Sequence, residues 1–193
     1  LGNLKAPVLS IDYTHSFDKL LGGDFKFDKV GLELWQFNSL GNFGTFQYRL
    51  KAYKTFGEAP YPALSIMRGN QSVFSNALSY NLMDFFEFVA DQYISVDYEH
   101  QFNGLIMNRV PLAKKLKWRS FVNTKAVYGT ISEANKAYMP LNDANFTNPS
   151  FFSNGKPYVE MGYGIENIFR FIRVDFIHRL TYLDDDHPTA KPF

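Results

Sequence analysis

Alternation with a period of two runs through most of this 193-residue chain. Leu9, Ile11, Tyr13, His15 and Phe17 interleave with Ser10, Asp12, Thr14 and Ser16. Phe46, Tyr48, Leu50 and Ala52 interleave with Gln47, Arg49 and Lys51, and Ile94, Val96, Tyr98 and Phe102 with Ser95, Asp97, Glu99 and Gln101. The same pattern returns along Leu116–Tyr128, Val159–Ile165 and Ile172–Tyr182. Helical spacing is nearly absent, so the pattern predicts strands, each with one apolar and one polar side. Seven are expected, at roughly 7–17, 25–37, 44–56, 88–102, 116–130, 157–166 and 170–183. In the second, the apolar side changes parity between Phe27 and Val30, which predicts a bulge near Asp28-Lys29.

These strands exceed the usual length of about 5–6 residues. A bilayer supplies a reason, because a transmembrane strand needs ~9–11 residues at ~45° tilt. Phe46 and Phe56, and likewise Trp118 and Tyr128, bracket ten-residue stretches of the apolar side. Ten residues at ~3.3 Å, tilted, project to roughly 25 Å, the height of the apolar band between the two aromatic girdles of an outer-membrane barrel. Phe46, Phe56, Phe102, Trp118, Tyr128 and Tyr182 are therefore expected in the girdles. The polar side carries Arg49, Lys51, Lys117, Arg119, Lys125, Arg173 and Arg179 against Asp12, Glu33, Asp97, Glu99, Glu160 and Asp175. That balanced wall suits a water-filled or loop-plugged lumen. A soluble antiparallel sheet with one wet face is the alternative.

The expected fold is all-β: an antiparallel transmembrane β-barrel, one domain over residues 1–193, with long external loops at about 57–87 and 131–156 and short turns on the other side. The segment 103–115, with Pro111, is expected to be a longer periplasmic turn. The chain reads as the C-terminal part of a larger barrel, with one further strand expected after residue 183.

Composition narrows the function classes. Aromatic residues make up 18% of the chain, apolar residues 46%, and mean hydropathy is −0.24, with no apolar run long enough for a membrane helix. The net charge of +1 argues against a nucleic-acid surface. The absence of cysteine removes thiolate chemistry and Cys-ligated zinc. His15, His100 and His178 share the apolar parity and read as interfacial residues, and no His-x-x-x-His or Ser/His/Asp arrangement stands out, so neither catalysis, metal nor cofactor is expected. Gly41-Asn42-Phe43-Gly44 and Gly22-Gly23-Asp24 read as turns, Asp184-Asp185-Asp186 as a solvated loop, and Asn70-Gln71-Ser72 and Asn145-Phe146-Thr147 as incidental sequons.

Three stretches resemble the C-terminal half of the BamA-like barrel superfamily, which assembles or translocates outer-membrane proteins. They are Ser65-Ile66-Met67-Arg68-Gly69-Asn70, Ser95-Val96-Asp97-Tyr98-Glu99, and Gly162-Tyr163-Gly164-Ile165-Glu166-Asn167 followed by Arg173-Val174-Asp175. Arg68 and Gly69 match the motif of a loop that folds into the lumen, whereas Lys125 stands near a position where the superfamily usually has an acidic residue. The likeness is closer to a Bacteroidota family of unknown function, in which a carboxypeptidase-regulatory-like domain precedes such a barrel. It is carried by Phe56-Gly57-Glu58-Ala59-Pro60-Tyr61-Pro62, Gly69-Asn70, Asn81-Leu82-Met83 with Glu87-Phe88, His100-Gln101-Phe102-Asn103-Gly104, Pro111-Leu112 with Lys115-Leu116, and Gly164-Ile165-Glu166-Asn167-Ile168-Phe169. These resemblances imply a barrel of about 16 strands, integral to the bacterial outer membrane. Its implied partners are membrane lipid and lipopolysaccharide, the rest of its own barrel, and other outer-membrane proteins or lipoproteins. They also imply a non-enzymatic role in outer-membrane protein biogenesis, or as a scaffold for accessory subunits. A passive pore and a soluble ligand-binding β-protein are the rivals.

An arginine carried into a lumen needs a carboxylate, because an unpaired buried charge is costly. Arg68 is therefore expected either to pair with Asp97 or Glu99, pinning its loop, or to remain a solvated loop residue.

Overall fold

The computed structural model describes residues 6–19, 24–139, 150–152, 155–183, 190 and 192–193. The two long hairpins, 45–57 against 27–39 and 158–168 against 119–130, show how the alternation is used. Polar side chains at odd positions of one strand meet polar side chains of the next, and apolar ones meet on the other face, so any slip by one residue would exchange the faces. Seven strands make one antiparallel sheet: β1 (Val8–His15), β2 (Phe27–Ser39), β3 (Thr45–Gly57), β6 (Gln92–Gln101), β7 (Arg119–Thr130), β8 (Tyr158–Ile168) and β9 (Ile172–Arg179). Each pairs with its neighbour in this order, an up-and-down meander. Two short strands, β4 (Ser65–Ile66) and β5 (Val89–Ala90), pair with each other inside the connection between β3 and β6. The seven-stranded sheet is not closed, and β1 and β9 are its edges. Beside β9, the Arg179 amide donates to the Pro192 carbonyl (3.1 Å), and Phe193 lies over His178 (ring centroids 5.0 Å).

Four details differ from the sequence expectation. The bulge near Asp28-Lys29 is absent, since the register of β2 with both neighbours is unbroken from Asp28 to Trp35. Instead Phe27, Trp35 and Phe37 stand on the polar side, and Asp28 stands on the apolar side, where Tyr13 Oη donates to it (2.6 Å) and His15 Nδ1 lies at 2.6 Å. The irregularity falls in β8, between Ile165 and Ile168, next to Asn167 with φ of 65°. The expected strand at 88–102 is cut at Asp91 into β5 and β6. The segment 103–115 is not a plain turn, because helix α1 (Pro111–Leu116) forms there. Pro111 supplies a preset φ at its first position, and Lys117 caps it in the left-handed conformation (φ 58°). Lys117 is thereby an exposed helix cap and not part of the strand wall, which begins at Arg119. A second short helix, α2 (Glu133–Lys136), follows β7.

The core lies on the polar face, where the connection 58–91 folds back over the sheet. Met67, Met83, Phe88 and Ala90 of that connection pack with Val127, Phe152, Tyr158 and Tyr182. Beside them, Ala59, Leu64, Val89 and Met139 form a second buried group, with Phe27 against it. The opposite face is the exposed one: Ile11, Ile94 and Phe176 are 68%, 58% and 41% accessible, whereas Glu160 and Arg179 are each 2% accessible. Apolar side chains outside and charged ones inside reverse the ordinary preference.

Candidate functional site

One cross-strand row organises the polar face. Arg49 of β3 stands opposite Asp97 of β6, Asp97 opposite Lys125 of β7, Lys125 opposite Glu160 of β8, and Glu160 opposite Arg179 of β9. Charge thus alternates across five strands at one level, the arrangement that avoids like charges directly opposite one another. Arg49 also reaches Glu33 (3.0 Å), which Lys51 approaches at 3.7 Å. Two levels from that row, toward the long connection, Tyr53 lies across Gly31, where any Cβ would enter its ring, and donates to Asp12 (2.8 Å) while stacking on Tyr93 (5.3 Å). On the other side Arg173 binds Glu99 (2.8 Å) and Asp175 (3.0 Å) and covers the Phe121 ring at 3.6 Å. Arg119 opens β7 opposite Glu166.

Three members of the row hold the loop. Lys125 Nζ donates to the carbonyls of Asn76 (3.1 Å), Ala77 (3.0 Å) and Ser79. Glu160 accepts from the backbone amides of Asn81 (3.0 Å) and Leu82 (3.2 Å) and from Tyr158 Oη (3.1 Å). Arg179 forks onto both oxygens of Glu87 (2.6 and 3.0 Å) and also donates to the carbonyls of Leu82, Thr181 and Tyr182. Every one of these contacts is charge-assisted, the stronger kind of hydrogen bond. A second clamp ties the start and end of the loop to the connection after β7. Asn135 accepts from the Ala59 amide (2.9 Å) and donates to Asp91 (3.0 Å), which also accepts from the Ser132 amide (2.8 Å).

Arg68 is not the anchor. It is exposed, and among the described residues no ion pair within 4.0 Å joins it to Asp97 or Glu99. Asp97 is flanked by Arg49 and Lys125 in its own row, and Glu99 is taken by Arg173. Arg68 lines the same cleft of about 310 Å³ as Lys51, Tyr93 and Asp97. The Gly69 backbone passes so close to the Met83 and Asp84 carbonyls that a Cβ would overlap them. Of the expected girdle residues, Phe46, Phe56 and Tyr128 occupy the outward positions of their strands, and Phe102 and Trp118 are half-buried just outside theirs. Tyr182 is a correction. The strand ends at Arg179, Tyr182 turns through φ of 57°, and its ring enters the buried group beside Phe88 (4.9 Å), with its hydroxyl donating to the Lys156 carbonyl. Residues 145–147 and 184–187, and Gly22 and Gly23, lie outside the described residues. Among the described residues no group of three His, Asp or Glu could hold a metal ion, and no helix is long and apolar enough to cross a membrane.

Glu87 enters the sequence pattern only through the family likeness, and Asp91 and Asn135 not at all, yet all three anchor the loop. Their signal was slight: acidic or amide side chains, all buried here, set beside apolar stretches such as Phe88-Val89-Ala90. Tyr80 is a further loop contact. Burial against the sheet raises its hydroxyl above the ordinary tyrosine value, and the Asp97 carboxylate adds to the rise. A neutral phenol is thus favoured when the loop is docked. An undocked Tyr80 ionises near pH 10, so docking is at full strength below that pH and weakens as pH rises beyond it. A dye on Val73→Cys, an exposed position in a chain without cysteine, should gain mobility above about pH 10, and Tyr80→Phe should blunt that rise.

The fold and its site define an all-β protein whose charged sheet face is occupied by its own loop. The chain belongs to a family of unknown function: residues 1–142 match "Family of unknown function (DUF5686) C-terminal domain". Neither a curated protein nor a solved structure matches it.

Proposed function

We propose that the chain is the C-terminal part of a bacterial outer-membrane β-barrel, BamA-like in topology. Its role is non-enzymatic, in outer-membrane protein biogenesis or as a scaffold for accessory subunits. The observation that carries this reading is the inverted sheet: an exposed apolar face on strands of up to 13 residues, with the charged face buried under a loop. A soluble sheet would bury its apolar face. Hydrocarbon makes the opposite arrangement favourable, and an up-and-down meander is the topology that closes into a membrane barrel. The motif stretches around Gly69, Asp97 and Gly162-Tyr163-Gly164 support the BamA-like likeness.

The docked loop favours a plugged barrel over a passive pore, since Lys125, Glu160 and Arg179 are engaged with loop atoms and do not line an open channel. On this reading the protein meets membrane lipid, the remainder of its own barrel, and other outer-membrane proteins or lipoproteins. The test uses the full-length protein. It should resist carbonate extraction, and its unboiled form should migrate faster in gels than the boiled one. A protein found in the soluble fraction with no heat-dependent mobility would overturn the proposal. In planar bilayers the native protein should conduct little, and deletion of residues 68–86 should open a steady conductance. Depletion should then change the census of outer-membrane proteins if the role is biogenesis, and spare it if the role is docking.

A further inference from the structure

Apart from histidine, the described outward strand positions carry two ionisable charged side chains: Asp28, which Tyr13 and His15 bind, and Lys54. Among its described strand positions, Lys54 is the sole Lys or Arg on that parity; the other strand cations point to the polar side. It is exposed, no ion pair is formed by it among the described residues, and its ammonium lies 5.0 Å from the Phe56 ring centroid. Lys54 heads a groove of about 450 Å³, within the roughly 300–1,000 Å³ of small-ligand clefts. Two cross-strand rows build it. The row Leu32, Ala52, Ile94, Tyr128 leaves a depression, because Ala52 is short between larger neighbours. The row Val30, Lys54, Gln92, Thr130 lies one level nearer the docked loop. There Gln92 Nε2 donates to Thr130 Oγ1 (2.7 Å), and among the described residues the threonine proton and the second amide proton of Gln92 remain available to donate.

We infer that this groove binds one phosphate-bearing acyl lipid of the membrane, its phosphate held by Lys54, Gln92 and Thr130 and one acyl chain lying along Ala52 between Leu32 and Ile94. The inference rests on the membrane reading and deepens it. A lysine on a face that meets hydrocarbon is costly unless its ammonium reaches the headgroup level, and Lys54 lies three residues from the end of β3, within roughly 10 Å of the strand terminus. The donors at that level are complementary to a phosphate and the surface below them to a hydrocarbon chain.

Native mass spectrometry of the full-length protein, titrated with phosphatidylglycerol, tests this. One lipid should be retained by the wild type, and Lys54→Gln should weaken retention about fivefold, while Lys54→Arg keeps it. Ala52→Trp, which fills the groove and leaves the lysine, should also weaken it. Diacylglycerol with the same chains should bind less well, and inorganic phosphate should not displace the lipid. Retention unchanged by Lys54→Gln and by Ala52→Trp, or displacement by inorganic phosphate alone, would overturn the site. The heat-dependent mobility of each variant separates the two failures: kept, only the lipid site falls; absent in the wild type too, the membrane reading falls with it.

Discussion

Arg179→Met releases the docked loop. The side chain of Arg179 is fully buried, and its partner Glu87 is nearly so. Removing the guanidinium strands a carboxylate in the interior and leaves the Leu82, Thr181 and Tyr182 carbonyls without their donor. Breaking one side of a buried pair costs about 3–5 kcal/mol. The expected result is rapid protease cleavage within residues 70–79 in a protein whose strands stay resistant. Removing both charges, Arg179→Met with Glu87→Leu, should recover much of the protection, since a well-packed apolar pair can replace a buried ionic one. A single variant as resistant as the wild type would show that the ion pair does not hold the loop.

Gly69→Val acts on the loop from within. Its Cβ would fall on the Met83 and Asp84 carbonyl oxygens, and backbone on both sides leaves nothing flexible to yield. The two passes of the loop would separate, and with them the bonds from the Asn70 amide to the Met83 carbonyl (3.0 Å) and from the Tyr80 amide to the Arg68 carbonyl (2.8 Å). Overpacking of this kind costs about 3 kcal/mol. The temperature at which the unboiled gel form is lost should fall, and the dye at position 73 should become mobile below pH 10. Normal values for both would place the requirement for glycine elsewhere.

The strands were legible because alternation records which face is apolar, and that holds for β3, β6 and β7 nearly residue for residue. It failed where side chains cross the rule for a local reason. Phe27 is apolar on the polar side because the docked loop supplies a dry surface there, and Asp28 is tolerated outside because Tyr13 and His15 bind it. Helix α1 is too short to show a helical period, so Lys117 was read into a strand. Tyr182 kept the strand parity in sequence while its backbone had already left the strand.

The loop over the polar face was expected and its anchor was not. Arg49, Asp97, Lys125, Glu160 and Arg179 all stood among the expected wall residues, but their meeting in a single row depends on registers that no one strand reveals. The loop partners of Lys125 and Glu160 are backbone atoms of Asn76, Ala77, Ser79, Asn81 and Leu82. Any residue type offers the same amide and carbonyl, so the sequence there carries no mark of the contact.

Every strand of the sheet pairs with its immediate successor in the meander, while the loop's fasteners lie on β7, β8 and β9, with Glu87 and Arg179 separated by 92 residues. Hairpins can therefore zip one after another as the polypeptide emerges. The segment 68–87 is made before any of its three fasteners and is fully secured only when the last of them, Arg179, arrives. Its full seating follows the pairing of β9, and an assembly intermediate lacking β9 should be caught with that segment still open to attack.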